Sequence, residues 1–139
     1  MPEKTVIPPG FVPYVSTSPF IVHLGTLYQR EDDSGTAVIG LHVGDEHVNL
    51  HRMAHGGMLS ALIDNALGYN VARARQQGVV TAHLSIDYIR AVQHGDWLEA
   101  HVTLRKLDGR LCFADCNLMV DGQVVVRASG ILPVIKAPA

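Results

Sequence analysis

The sequence has few cysteines, no excess of basic residues and no long apolar run, and each of these absences argues against a class of protein. Two cysteines among 139 residues cannot build a disulfide scaffold, and no stretch of about 18 apolar residues could span a membrane. Eleven basic against 13 acidic residues give a net charge of −2, which argues against a nucleic-acid-binding protein. The N-terminus lacks the basic start and apolar run of a signal peptide, so we expect a cytoplasmic protein.

Cys112 and Cys116 are the two cysteines, four residues apart in a strand-like segment. At that spacing they share one face of the strand but lie too far apart to bond each other easily. We expect two buried, reduced thiols, which suits a reducing cytoplasm.

The hydrophobic fraction of 47% is enough to fill the core of one domain. Residues 1–19 are rich in proline, serine and threonine, which indicates a lead-in segment with at most a short helix over residues 10–15. Residues 20–139 are then expected to form a single domain. Its first strand is predicted over residues 20–29, and a turn at residues 31–35 leads to a hairpin partner over residues 36–43.

From Gly56 the pattern becomes helical, and apolar residues cover almost the whole helix surface as far as Tyr69. Such a helix is expected to be buried nearly all round and to stop near Gly78. Four strand-like runs follow over residues 80–90, 97–106, 112–120 and 123–134. Short turns between them predict an antiparallel four-stranded meander. The order is two strands, one helix and four strands, which is an α+β layout.

The chemistry is concentrated between Asn49 and Asp64. Asp64 lies two helical turns past Gly57 among apolar neighbours, and a carboxylate in such surroundings is a candidate base or nucleophile. The His55-Gly56-Gly57 turn opens the helix, where glycine lets a ligand approach the backbone. Free amides at a helix start can stabilise an oxyanion, and the Asn49 amide could orient water or a carbonyl.

The string from Asn49 through His55-Gly56-Gly57 to Asp64 resembles the signature of hotdog-fold acyl-CoA thioesterases. The likeness is specifically to the PaaI-like, phenylacetate-pathway branch of the 4-hydroxybenzoyl-CoA thioesterase superfamily. The resemblance extends over about residues 20–134 and includes the later segments 87–90 and 95–96. It implies the hotdog fold, in which a curved antiparallel sheet wraps a long buried helix, and hydrolysis of an acyl-CoA thioester.

The resemblance also implies a role for each matched residue. Asp64 would be the nucleophile or the general base that activates water. Asn49 of a neighbouring subunit would hold the water or the carboxylate. The Gly56 amide would polarise the thioester carbonyl, His55 would support that turn, and Thr81 would help to position water.

The assembly and the ligand follow from the same resemblance. It implies a homodimer with both sites at the interface, commonly paired into a tetramer, and neither a metal nor a bound cofactor, since coenzyme A is part of the substrate. From position alone we expect Gly57 and Met58 to contact substrate, with Leu59 or the N-terminal segment also near the acyl group. Arg90 is a candidate for the coenzyme A phosphates. The other basic candidates are Arg73, Arg75, Lys106, Arg110 and Arg127. The acyl group itself stays open between a phenylacetyl type and a short or medium aliphatic chain.

Three simpler interpretations stay open at this point. Asp64 could be a buried hydrogen-bonding group, and Asn49 an ordinary loop residue. His47, His51 and His55 are spaced four apart as metal ligands on a helix would be. They precede the helix, however, and no zinc-protease pattern accompanies them, so we predict no metal site.

Two other functions suit the same scaffold. A hydratase or dehydratase acting on acyl thioesters would share acid–base work between His55 and Asp64, although the glycine pair after His55 counts against it. A non-catalytic acyl-CoA binding module is the other alternative, and it would bind acyl-CoA without turnover.

Overall fold

The computed structural model describes residues 6–135, which form seven strands, one long helix and two short helical turns. In chain order the elements are β1 (Val12–Tyr14), α1 (Pro19–Val22), β2 (Leu27–Glu31), β3 (Ala37–His42), a 3₁₀ turn (Asp45–His47), α2 (Gly56–Arg75), β4 (His83–Tyr88), β5 (Trp97–Lys106), β6 (Leu111–Val120) and β7 (Gln123–Pro133).

All seven strands join one antiparallel sheet in the order β1-β2-β3-β5-β6-β7-β4. Strands β5 to β7 form a meander, as predicted, but β4 does not pair with β5. It lies at the far edge beside β7, with Ser85 opposite Ser129, so the four-strand meander was wrong. The reason lies in the connection from β4 to β5, which runs past the start of α2. There the Ala54 amide donates to Val92 O at 2.7 Å, so the chain cannot turn back as a hairpin.

The N-terminal predictions also need correction. Within the segment interpreted as a lead-in, β1 pairs with β2, with Pro13 opposite Tyr28. A proline is tolerated there because β1 is an edge strand. The strand predicted from residue 20 begins only at Leu27, since Pro19 opens the short helix α1 instead. Proline is favoured at the first position of a helix because its fixed φ suits a helical residue.

Helix α2 lies across the concave face of the sheet and begins at Gly56, as predicted. One side of it is buried, and the other side, which carries Asp64, is open in the single chain. The expectation of burial nearly all round was therefore wrong. The helix also ends earlier than Gly78, because Gln76 adopts a left-handed φ of 54° and Arg75 donates to the Gly109 carbonyl at 2.6 Å. The buried side consists of Met58, Leu59, Leu62, Ile63, Ala66, Leu67, Asn70 and Val71.

Asn70 is the polar member of that buried side, and its amide ties the helix to β3. Its Oδ1 accepts the Ala37 amide at 2.8 Å, and its Nδ2 donates to Ala37 O at 2.9 Å and Ala66 O at 3.0 Å. Since its amide is hydrogen-bonded at both ends, burial costs little and the position of α2 along β3 is fixed.

A long helix wrapped by a curved antiparallel sheet is the hotdog arrangement, so that prediction is confirmed. Cys112 and Cys116 are buried and free of disulfides, and burial raises the pKa of the Cys116 thiol to about 12. Within residues 6–135, no helix is both long enough and apolar enough to cross a membrane.

The outer face of the sheet carries an aromatic cluster centred on Trp97. Its indole stands edge-to-face with Phe11, at 5.1 Å between ring centroids, and with His42, at 4.9 Å. Its Nε1 donates to Glu99 at 2.8 Å. The indole fits only because residue 40 is glycine, since a Cβ there would lie 2.3 Å from the ring.

Candidate active site

His55 is the N-cap of α2, and its ring fixes the glycine turn. Its Nδ1 accepts the Gly57 amide at 2.8 Å, so Nδ1 carries no proton and the ring proton is on Nε2. A Cβ on Gly57 would lie 3.0 Å from Nδ1 and 3.2 Å from Cε1, which is tighter than side chains usually pack. Glycine at 57 therefore makes room for the histidine cap. In this geometry His55 caps the helix backbone, because its Nδ1 already accepts the Gly57 amide.

The Gly56 amide belongs to the first helical turn, where N–H groups have no intrahelical acceptor. Gly56 lines a cavity of about 250 Å³ that Asn49 and Arg90 also line, together with Leu59 and Tyr88. Three of the residues singled out from the sequence thus meet in one place. We name this the Gly56 cavity.

The loop that carries Asn49 is held from two sides. The Asn49 Oδ1 accepts the His51 amide at 2.9 Å and the Met53 amide at 3.2 Å, so its carbonyl stabilises the loop and its NH₂ is the end left for a ligand. His47 is buried, where its Nδ1 accepts the Gly44 amide at 2.9 Å and its Nε2 donates to Leu24 O at 2.6 Å. His47 is therefore a structural anchor for this loop.

No group of three or more His, Cys, Asp or Glu side chains in residues 6–135 is placed to hold a metal ion. The three histidines before the helix take separate tasks instead. His47 is buried, His51 is exposed and His55 caps α2.

Asp64 lies two turns further along the helix, in a second cavity of about 400 Å³ that we name the Asp64 cavity. Thr81 Oγ1 donates to Asp64 Oδ1 at 2.5 Å, so one carboxylate oxygen is held and the other is free to act. The carboxylate is exposed in the single chain, which contradicts the apolar surroundings expected from its sequence neighbours.

Aromatic side chains line the far part of the Asp64 cavity. Tyr14 of β1 stands edge-to-face with Tyr69 of α2, with ring centroids 4.9 Å apart, and Phe20 of α1 lies nearby. Burial raises the pKa of Tyr14, and its hydroxyl donates to Asn65 at 3.5 Å. The sequence indicated only that the N-terminal segment could contribute here. No local signal marks residues 12–14 as a strand, because this three-residue edge strand depends on its pairing with β2.

The remaining predicted contact residues lie elsewhere. Met58 packs into the hydrophobic core and lines neither cavity, because at its place in the first turn the side chain points toward the sheet. Leu59 lines the Gly56 cavity instead. Gly57 is exposed beside His55 and serves the cap. Tyr88 was not singled out from the sequence, although it contacts Gly56 directly.

The two cavities are separate within one chain. Gly56 and Asp64 are eight residues apart on one helix, which corresponds to about 12 Å along its axis. Asn49 and Arg90 lie at the Gly56 end, and Thr81 lies at the Asp64 end. Each chain therefore carries two separate sets of polar groups.

One helix with a glycine turn and an open carboxylate face, wrapped by an antiparallel sheet, defines a hotdog domain. A family model described as the thioesterase superfamily matches residues 51–127. The chain belongs to this superfamily.

Similar proteins agree with that assignment. The chain is 38% identical over 127 residues to the Pseudomonas aeruginosa protein named "Putative esterase PA0474", over 90% of this chain and 95% of that protein. A variant of the phenylacetic acid degradation protein PaaI from Thermus thermophilus is similar with a TM-score of 0.76 and 28% identity, over 85% of this chain and 100% of the other. A hypothetical thioesterase protein from Streptococcus pneumoniae, solved with coenzyme A, gives a TM-score of 0.69 and 25% identity, over 74% of this chain and 83% of the other.

Proposed function

We propose that this chain hydrolyses an acyl-CoA thioester to a free acid and coenzyme A. The observation that carries the proposal is the Asp64 carboxylate, which is held at one oxygen by Thr81 and opens into a cavity on the exposed side of α2. A carboxylate with one free oxygen can take a proton from water or attack a carbonyl. Membership of the thioesterase superfamily supports this chemistry.

The site is formed by two copies of the chain. A reacting carbonyl must lie about 3 Å from both its attacking group and its oxyanion donor. The axial separation of about 12 Å between Gly56 and Asp64 prevents one helix from supplying both. Two helices packed antiparallel on their open sides bring Gly56 and Asn49 of one chain to Asp64 and Thr81 of the other. A two-fold dimer then holds two equal sites, and pairing of dimers gives the tetramer expected from the resemblance.

Each group has a defined task in this arrangement. The Gly56 amide donates to the thioester carbonyl oxygen as negative charge develops there. Asn49 holds the attacking water with its NH₂ group, and Asp64 takes the proton from that water or attacks the carbonyl itself. The carbon–sulfur bond then breaks, and the coenzyme A thiolate leaves and takes up the proton that Asp64 removed from water. Where Asp64 attacks instead, departure of the thiolate leaves a mixed anhydride on Asp64, and water hydrolyses this anhydride to the free acid, restores the carboxylate and supplies the thiol proton.

Substrate binding is divided between the two cavities. Arg90 at the mouth of the Gly56 cavity suits a phosphate of coenzyme A, and the relative solved with coenzyme A supports this ligand. The acyl group enters the Asp64 cavity, among Tyr14, Phe20 and Tyr69. The reaction needs neither a metal ion nor a bound cofactor.

The geometry of His55 favours hydrolysis over the hydratase alternative. In acyl-thioester hydration the base has to take a proton from water, but Nδ1 of His55 accepts the Gly57 amide and Nε2 already carries the ring proton, so neither ring nitrogen is free to accept one.

Release of the free thiol from a panel of acyl-CoA esters tests the proposal, with mass analysis of the acyl product. We expect equal amounts of free coenzyme A and free acid from at least one short, medium or arylacetyl ester. Formation of enoyl- or hydroxyacyl-CoA without free thiol would instead establish a hydratase. Tight acyl-CoA binding with no turnover over the whole panel would establish a binding module.

A further inference from the structure

Tyr88 ends strand β4 and reaches the first turn of α2 from the sheet. Its hydroxyl lies 3.0 Å from the Gly56 carbonyl oxygen and 2.6 Å from the Ser60 hydroxyl. Ser60 Oγ is itself 2.9 Å from the same carbonyl oxygen. The ring lies beside the Gly56 backbone, 3.6 Å from where a Cβ would be. Tyr88 thus ties the edge strand β4 to the start of the helix.

The three contacts among Tyr88, Ser60 and Gly56 share only two hydroxyl hydrogens. One hydroxyl therefore donates to the Gly56 carbonyl, and the second donates to the first hydroxyl. Removing the Ser60 hydroxyl leaves Tyr88 able to donate to the carbonyl directly. Removing the Tyr88 hydroxyl leaves only Ser60, which belongs to the same helix and connects nothing to the sheet.

The peptide between Gly56 and Gly57 is consequently held at both ends. Its N–H donates to His55 Nδ1, and its carbonyl accepts from the hydroxyl pair. Two consecutive glycines leave the backbone with unusual conformational freedom, which side-chain bonds have to remove. The Gly56 N–H belongs to the preceding His55–Gly56 peptide, whose carbonyl accepts the Leu59 amide at 3.0 Å. With the peptides on both sides of Gly56 held, rotation at Gly56 is restricted, and so is the direction of its N–H.

We infer that Tyr88 is a positioning residue that aims the Gly56 amide at the thioester carbonyl. The inference rests on the proposed function, because it takes Gly56 as the oxyanion donor. An amide that is preorganised by a bond from the sheet needs no reorientation when charge develops on the substrate. The alternative is that Tyr88 contacts substrate, since about half of its surface is exposed in the single chain and it lines the Gly56 cavity.

The variant Tyr88→Phe separates these two roles because it keeps the ring and removes only the hydroxyl. We expect kcat for acyl-CoA hydrolysis to fall roughly tenfold with KM within about twofold, since a misaimed donor costs less than the 10²- to 10³-fold of a deleted one. Ser60→Ala should lose less than Tyr88→Phe. The matched control is Tyr28→Phe, which also removes only a hydroxyl. The Tyr28 ring lies beside Trp97 on the outer face of the sheet, so this variant should leave kcat unchanged.

An unchanged kcat in Tyr88→Phe would overturn the inference. A raised KM with unchanged kcat would also overturn it and make Tyr88 a substrate contact.

Amide hydrogen exchange gives a readout that does not need turnover. In Tyr88→Phe we expect the Gly57 amide to exchange several-fold faster than in the wild type, while the Leu67 amide in the buried middle of the helix exchanges at the same rate. Equal exchange at Gly57 would overturn the inference. If the wild type releases no thiol from any ester, the proposed function fails, and so does the effect of Tyr88 on catalysis through Gly56. The exchange rates still decide whether Tyr88 holds the turn.

Discussion

Asp64→Asn is expected to reduce acyl-CoA hydrolysis by at least about 10²- to 10⁴-fold, the range typical of a lost general base, and by more if Asp64 is the nucleophile. The loss should appear in kcat, because the substituted group acts on the water or carbonyl in the transition state. Asparagine has the size of aspartate, and its carbonyl oxygen can still accept the Thr81 hydroxyl that now bonds Asp64 Oδ1. The variant should therefore fold and still bind acyl-CoA.

The matched control for this variant is Asp87→Asn. Asp87 is also an exposed carboxylate, but it pairs with Arg127 at 3.0 Å on the sheet, away from both cavities. An exposed ion pair contributes about 0–1 kcal/mol to stability, so the control should keep the wild-type rate. Substantial and equal rates in the wild type and Asp64→Asn would remove Asp64 from the mechanism.

Gly40→Ala is expected to destabilise the fold by about 1–3 kcal/mol, which is the usual cost of overpacking a filled site. The added methyl would meet the Trp97 ring at 2.3 and 2.6 Å and Phe11 at 3.1 Å. Neither ring can move freely, because the two stand edge-to-face and the indole N–H is bonded to Glu99. Urea unfolding at a fixed protein concentration measures the effect.

The background variant Trp97→Leu gives the control for this prediction. Without the indole the methyl has space, and alanine in a strand interior is otherwise favoured over glycine by roughly 0.5–1 kcal/mol. We therefore expect Gly40→Ala to be neutral or stabilising in Trp97→Leu. The same destabilisation in both backgrounds would show that the indole contact is not the cause.

Local patterns in the sequence were sufficient to predict those helices, strands and turns that depend on residues close together in the chain. The glycine turn and the dense apolar run after it located the start of α2 at Gly56. The alternation after Gly95 gave the observed bounds of β5, and the Asp-Gly turns gave the β5-to-β7 meander. The match of Asn49, Gly56 and Asp64 to a family signature gave the fold, which the structure confirms.

Local patterns could not predict which strands pair when the strands are far apart in the sequence. Nothing near β4 in the sequence indicates that Ser85 will lie opposite Ser129, because that register depends on how α2 crosses the sheet. The strand that carries Tyr14 was missed for the same reason, since a three-residue edge strand is stabilised by its partner β2.

The site was predictable only as a set of residue types. Asp64 was singled out as a lone carboxylate among apolar neighbours, whereas its exposure depends on which side of α2 faces the sheet. Met58 was expected at the substrate and lies in the core, since adjacent helical positions differ by about 100° around the axis. Tyr88 was not singled out because its contact with the Gly56 carbonyl joins residues that are 32 positions apart in the sequence.

The most direct test of the shared site is a mixture of two inactive variants, Asn49→Ala and Asp64→Asn, unfolded and refolded together in equal amounts. One of the two sites in each mixed dimer would then keep both Asn49 and Asp64. Half of the dimers are mixed, so the account predicts recovery of about a quarter of the wild-type rate. If the mixture stays as inactive as its components while refolded wild type recovers fully, the site does not span two chains, and the central claim is contradicted.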